Sequence, residues 1–257
     1  MASSIDAPHY ATMLTLIAES KTMRACDTHV DAGLATSHTP LYNSEATTIM
    51  MSLYSLDLGE LAKAVKISTA LAAKLRLSIS DFPDRSTGCS AIEAFTGVVF
   101  KAFDYPTLPE QARCNTTANV RIISSLYGWL RPDDVIKAYR LDFTSHAGPQ
   151  GETMSTFWRT NVTDALLAEL DKTGETEILD LLPGDAAKCI DWKRVKAVAK
   201  VAKADFVEPT DGGRLKTPHS GRLKMLRGSL LRQIVCDGIG SFSEVSELVG
   251  ADILKTI

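Results

Sequence analysis

Two short apolar runs, Met13-Leu14-Thr15-Leu16-Ile17-Ala18 and Glu177-Ile178-Leu179-Asp180-Leu181-Leu182, constrain this chain most. Both have strand length and little alternation, the mark of strands buried on both faces. The first ends in the polar Glu19-Ser20-Lys21-Thr22, the second in Pro183-Gly184. Most of the sequence between them has helical spacing. Helices are expected over Ser44–Leu56, Gly59–Leu75, from Ser90 to Phe95 with a break at Gly97, over Pro109–Leu126, from Pro132-Asp133-Asp134 onward, and over Met154–Leu170. Residues 23–42 lack a period and are expected to be a surface loop. Ala197–Val207 and Arg214–Thr217, joined through Asp211-Gly212-Gly213, suggest a hairpin. Gly221–Val235 and Ser241–Ile257 close the chain as helices. Strands and helices without regular alternation define an α+β, irregular mixed α/β class. No linker or repeat divides residues 1–257, so a single domain is expected.

Composition excludes several classes. No apolar run reaches the roughly 18 residues of a membrane span, and the N-terminus lacks the basic flank and long apolar stretch of a secretory leader. Five scattered cysteines without a C-x-x-C pair suggest reduced thiols and a cytoplasmic location. Cys26-x-x-His29 has ligand-like spacing but no second pair, so no metal is expected. There is no Walker loop and no G-x-G-x-x-G, and no cofactor is expected. The net charge is −3, yet from Lys188 to Arg232 twelve Lys and Arg face four acids. That asymmetry can mark an anion-facing surface or simply a solvated basic face.

Three places could carry chemistry. On the helix after the hairpin, Lys224, Arg227 and Arg232 fall within an arc of about 140° that includes Gly228. Leu223, Leu226, Leu230 and Ile234 lie outside that arc. A glycine among cations permits close approach of a ligand or of another backbone. Lys21 follows a buried strand, where ligand-binding loops commonly sit, and a desolvated lysine can act as base or nucleophile. The third place is Tyr127 to Asp142. Two short helices flanking Gly128 and the turn at Arg131-Pro132 would form a helix-hairpin-helix-like element able to hold a phosphate. Arg131 and Arg140 add guanidinium forks. Tyr127 and Tyr139 are candidates for stacking or proton relay.

These segments occur in an order that resembles the YaaA family of bacterial peroxide-stress proteins. Ile17-Ala18-Glu19-Ser20-Lys21-Thr22 is similar to the family's Ser-Pro-Ala-Lys-Thr element. Arg121-Ile122-Ile123-Ser124-Ser125-Leu126-Tyr127-Gly128-Trp129-Leu130-Arg131-Pro132 is similar to its most recognisable stretch. Tyr139-Arg140-Leu141-Asp142 resembles Tyr-Arg-Leu-Glu, Phe157-Trp158 resembles Phe-Trp, and Lys224, Arg227, Gly228 and Arg232 match Lys-x-x-Arg-Gly-x-x-x-Arg. The resemblance implies a compact YaaA-like domain, resistance to hydrogen peroxide, limitation of free iron, and double-stranded DNA binding through a helix-hairpin-helix-like element at Leu126–Tyr139. The chain departs from the family where Thr96-Gly97-Val98-Val99-Phe100 replaces Lys-Gly-Asp-Val-Tyr, and at Asp180-Leu181-Leu182-Pro183. The family's last strand is not expected after Ile257.

Two main functional expectations follow, beside a plainer third, a non-catalytic ligand-binding module using the same cations. One is a DNA-binding stress protein. The other is an enzyme, a transferase in kind, acting on a small flat or anionic ligand such as a nucleobase. In the second, Lys21, Arg227 and Tyr127 are catalytic, and Thr22, Arg131, Tyr139, Arg140, Lys224, Gly228 and Arg232 bind ligand.

Overall fold

Leu14–Ala18 (β1) forms the middle of a sheet, buried along its whole length. The computed structural model describes residues 13–30, 38–209, 214–249 and 253–256. β1 pairs in parallel with Val120–Ser124 (β3) on one side and with Glu177–Asp180 (β6) on the other. Gly128–Leu130 (β4) is antiparallel to β3, and Lys200–Ala204 (β7) is parallel to β6. Leu254–Thr256 (β10) closes the far edge against β7, giving the order β10-β7-β6-β1-β3-β4. Cys89–Ser90 (β2) pairs with Val135–Ile136 (β5), and Glu208–Pro209 (β8) with Leu215–Lys216 (β9). The mixed α/β class agrees with the sequence.

The helices in chain order are Asn43–Ser55 (α1), Leu58–Val65 (α2), Thr69–Ser80 (α3), Ala91–Ala94 (α4), Val98–Phe103 (α5), Glu110–Asn119 (α6), Met154–Thr173 (α7), Gly184–Ala187 (α8), Trp192–Val195 (α9), Ser220–Asp237 (α10) and Phe242–Val249 (α11). The main hydrophobic core takes in residues from Met13 to Val245.

Several elements differ from expectation, each for a local reason. The helix expected over Gly59–Leu75 is two. Asp57 and Glu60 form a capping box that starts α2, Lys66 turns left-handed at φ 55°, and Ser68 caps α3. The helix expected over Pro109–Leu126 stops at Asn119. The β-branched Val120, Ile122 and Ile123 gain more as a fully buried strand beside β1. No helix pair forms over Leu126–Tyr139. That stretch folds as β4, a turn at Arg131–Asp134 and β5, with Asp134 Oδ2 accepting from the Arg131 N–H at 2.8 Å. Lys200–Ala204 joins the main sheet, leaving a smaller hairpin of β8 and β9; Asp211-Gly212-Gly213 lies outside the described residues. The final helix ends at Val249, and a last strand, β10, is present. Within residues 23–42, Met23 and His29 make isolated bridges to Phe95 and Thr87.

The cysteine reading is also corrected. Cys26 and Cys89 are joined by a disulfide, their Cα atoms 5.1 Å apart. They lie 63 positions apart in the chain, so no local spacing announces the pair. The bond takes Cys26 out of any metal-ligating pair with His29.

The turn at Gly128 explains a family-like motif. Gly128 has φ +67°, and a Cβ there would lie 2.6 Å from the Trp158 ring. Trp158 is fully buried on α7 and donates its indole N–H to the Ser125 carbonyl at 2.8 Å. Gly128→Ala is therefore expected to cost about 2 kcal/mol or more through combined strain and overpacking. Urea unfolding followed by Trp fluorescence checks this; an unchanged midpoint would contradict it.

Candidate functional site

The direction of the sheet fixes where a site can lie. β1 leads to β3 on one side, whereas β6 leads to β7 on the other. Parallel sheets leave a crevice at the carboxyl ends of strands where the connections diverge in this way. A cavity of about 340 Å³ occupies that position. Its floor is the exit of β1 (Ile17 to Thr22), with Leu181, Pro183 and Asp185 after β6, the start of α5 (Gly97–Val99), Asp142-Phe143, and Lys224 and Arg227 of α10.

The loop after β1 is pinned along its length. Glu19 N–H donates to the Ile123 carbonyl at 2.9 Å, Thr96 N–H to the Thr22 carbonyl at 2.9 Å, and Arg24 N–H to the Ala94 carbonyl at 2.9 Å. The Gly97 N–H donates to Ser20 Oγ at 3.0 Å, and a Cβ at Gly97 would sit 2.5 Å from the Ser20 Cβ. Lys21 reaches Asp142 Oδ2 at 2.9 Å, and its carbonyl accepts from Arg140 Nη1 at 2.7 Å. Burial works against the Asp142 charge, but hydrogen bonds from Thr144 and Lys21 outweigh it and hold this carboxyl below its ordinary value.

α10 supplies the opposite wall. Lys224 and Arg227 stand one turn apart and face the cavity. Among the described residues neither side chain makes a hydrogen bond or an ion pair. Arg227 is half-buried; burial lowers its pKa, while Asp180 and Asp185 oppose that shift. Asp180, buried at the end of β6, is itself raised by burial, against the Leu182 N–H, Lys203 and Arg227. The helix lies this close because of Gly228, where a Cβ would meet the Val99 carbonyl oxygen at 2.2 Å. Gly228 therefore admits another backbone rather than a ligand. Arg232 is likewise diverted, donating to the carbonyls of Phe103 and Asp104 at 2.8 and 2.9 Å, where it caps α5.

The remaining sequence candidates divide. Lys21, Thr22, Lys224 and Arg227 line one cavity. Arg140 holds the Lys21 backbone. Tyr127 and Tyr139 are buried, in edge-to-face contact at 5.7 Å, and the Tyr127 hydroxyl accepts from the Lys137 N–H at 3.2 Å. Arg131 lies away from the cleft, near Asp133, on an open groove of about 920 Å³ at the other end of β3. The helix pair that would have presented its backbone to a phosphate is absent.

Sequence reasoning missed Glu19. Its carboxyl accepts from the Ser125 N–H at 2.8 Å and from the Tyr139 hydroxyl, and burial lifts it to about 7 against those hydrogen bonds. The available signal was an acid placed directly after a fully buried strand. Among the described residues no cluster of His, Cys, Asp and Glu could hold a metal, and no helix is long and apolar enough to cross a membrane.

The chain is thus a mixed α/β protein with a cation-lined crevice at the switch point of its sheet. Comparison with known sequences narrows this. The profile described as peroxide stress protein YaaA matches residues 13–252, and the chain belongs to that family. It is similar to a UPF0246 protein of Bacteroides thetaiotaomicron, 30% identical over 91% of this chain and 89% of the relative. A UPF0246 protein of Parabacteroides distasonis is 29% identical, covering 87% and 86%. One from Porphyromonas gingivalis is 31% identical, covering 70% and 71%.

The raised Glu19 carboxyl has a consequence for stability. A carboxyl whose pKa is higher folded than unfolded contributes fully below about 4.5, and that contribution is lost as pH rises through about 7. Wild type should lose stability over this window relative to Glu19→Gln. Urea midpoints from pH 5 to 8 measure it; parallel curves would contradict the shift.

Proposed function

We propose that the crevice at the ends of β1 and β6 binds a small flat or anionic heterocycle, nucleobase-like in class, and that the protein acts on it. Arg227 carries this reading. It is a half-buried guanidinium lining a cavity, without a hydrogen-bond partner among the described residues, beside Lys224 and across from Lys21. Partly desolvating an arginine is costly unless a partner compensates, and a ligand acceptor would supply one. The apolar Val98, Val99, Phe143 and Pro183 complete a wall suited to the face of a ring. Group transfer or amine exchange at an activated ring carbon is the reaction class that fits cations placed to draw electrons from a heterocycle.

Lys21 enters this scheme as a positioned cation. Its ammonium is held at 2.9 Å by Asp142, so it orients and polarises the ligand in the resting site. Service as a nucleophile would require that contact to break and the amine to lose its proton. The peroxide-stress link comes with the family, and a site for a purine fits it through the chemistry of oxidised or aminated bases.

The test uses adenine with simple amines, binding read by calorimetry and products by mass spectrometry. Arg227→Ala should weaken adenine binding about 10- to 100-fold, the range for a lost hydrogen bond to a charged group. Lys21→Ala should abolish turnover while the protein remains folded. Equal affinity in Arg227→Ala would sink the assignment of the wall, and intact turnover in Lys21→Ala would sink the role of the lysine.

A further inference from the structure

We propose that Glu19 is the proton-transfer group of this crevice, exchanging a proton with a ring nitrogen of the bound ligand through Oε1 while Oε2 stays anchored to the protein. The inference rests on the small-molecule reading above and adds the residue that moves the proton.

The geometry of one carboxyl carries it. The hydrogen bonds from the Ser125 N–H and from the Tyr139 hydroxyl go to Oε2, and the Ser125 and Ser124 side chains also lie close enough to favour the carboxylate. Oε1 has no partner among the described residues. Glu19 is only partly buried and lines the cavity. One oxygen is thus fixed and the other presented, the arrangement a general acid or base needs.

Counting donors gives the chain behind it a direction. Ser124 Oγ accepts from the Tyr127 N–H at 2.9 Å and from the Leu126 N–H at 3.2 Å. Its own proton then points at the Tyr139 oxygen, 2.7 Å away. The Tyr139 proton is left to donate to Glu19 Oε2. Ser124 and Tyr139 therefore form a one-way line of donors aimed at the carboxyl, ready for the charge that appears when it loses its proton.

The step balances simply. Protonated Glu19 gives the Oε1 proton to a ring nitrogen, whose lone pair forms the new N–H bond. The O–H bonding pair remains on the carboxylate, which Ser125 N–H and Tyr139 O–H stabilise. In the reverse direction the carboxylate takes the proton back. Burial, which lifts the carboxyl to about 7, leaves both forms populated at neutral pH. The charged and titratable groups around it are Tyr139 with Tyr127 behind it, Cys189 beyond α8, and, lining the cleft, Lys21, Asp142, Asp185, Lys224 and Arg227.

Two measurements on the full chain separate this proposal from the reading beneath it. Without ligand, infrared difference spectra of wild type against Glu19→Gln should show a protonated carboxyl band that disappears with a midpoint near neutrality. Tyr139→Phe should move that midpoint upward, and Ser124→Ala provides the same readout if the tyrosine variant does not fold. With adenine as the probe, wild-type affinity should differ about tenfold between pH 6 and pH 8, as a single carboxyl titrating between them requires. Glu19→Gln should bind equally at both and lose turnover about 100-fold or more. Adenine binding at neither pH would overturn the purine site and the proton transfer with it. Binding in the absence of a neutral carboxyl titration, or turnover unchanged in Glu19→Gln, would overturn Glu19 alone.

Discussion

Parallel pairing of β1 with both β3 and β6 is the constraint on which the rest depends. It buries Leu14 to Ala18 completely and lines up the carboxyl ends of three strands. Everything polar that leaves those ends must find partners at once, because the strand offers none. Glu19 finds Ser125 and Tyr139, Ser20 finds Gly97, and Lys21 finds Asp142 and Arg140. The crevice is where these obligations meet, and its charge pattern follows from the order of strands.

A second constraint brings the cations in. α10 approaches α5 closely enough for the Val99 carbonyl to occupy the space of a side chain at Gly228. Arg232 then seals the far end of α5 by taking its last carbonyls. The two residues that resembled ligand contacts in the sequence thus act as the hinge pin and latch of a helix pair. Lys224 and Arg227, on the same face but nearer the crevice, reach the cavity. Helical periodicity placed four residues in one arc; only packing divided them between structure and site.

The division between what sequence reveals and what it hides has physical causes. The buried runs at Met13 and Glu177 were readable because continuous burial demands apolar residues on both faces. That Lys21, Lys224 and Arg227 line one cavity is readable from sequence only as an expectation, since it depends on how segments far apart in the chain pack. Val120–Ser124 and the stretch after Pro132 read as helix in sequence because short apolar runs do not reveal their period. The Cys26–Cys89 disulfide and the Glu19 carboxyl both arise from tertiary proximity, which spacing along the chain does not record. The Leu126–Pro132 motif, so distinctive as a sequence, is an architectural feature: a left-handed glycine over a buried tryptophan.

One strip of four residues, Tyr139 to Asp142, binds the loop after β1 at three points. Tyr139 holds the Glu19 carboxyl, Arg140 the Lys21 carbonyl, and Asp142 the Lys21 ammonium. The acid and the cation are therefore not independent fittings. Proton affinity on one side of the crevice and electric field on the other are set by a single strip of chain.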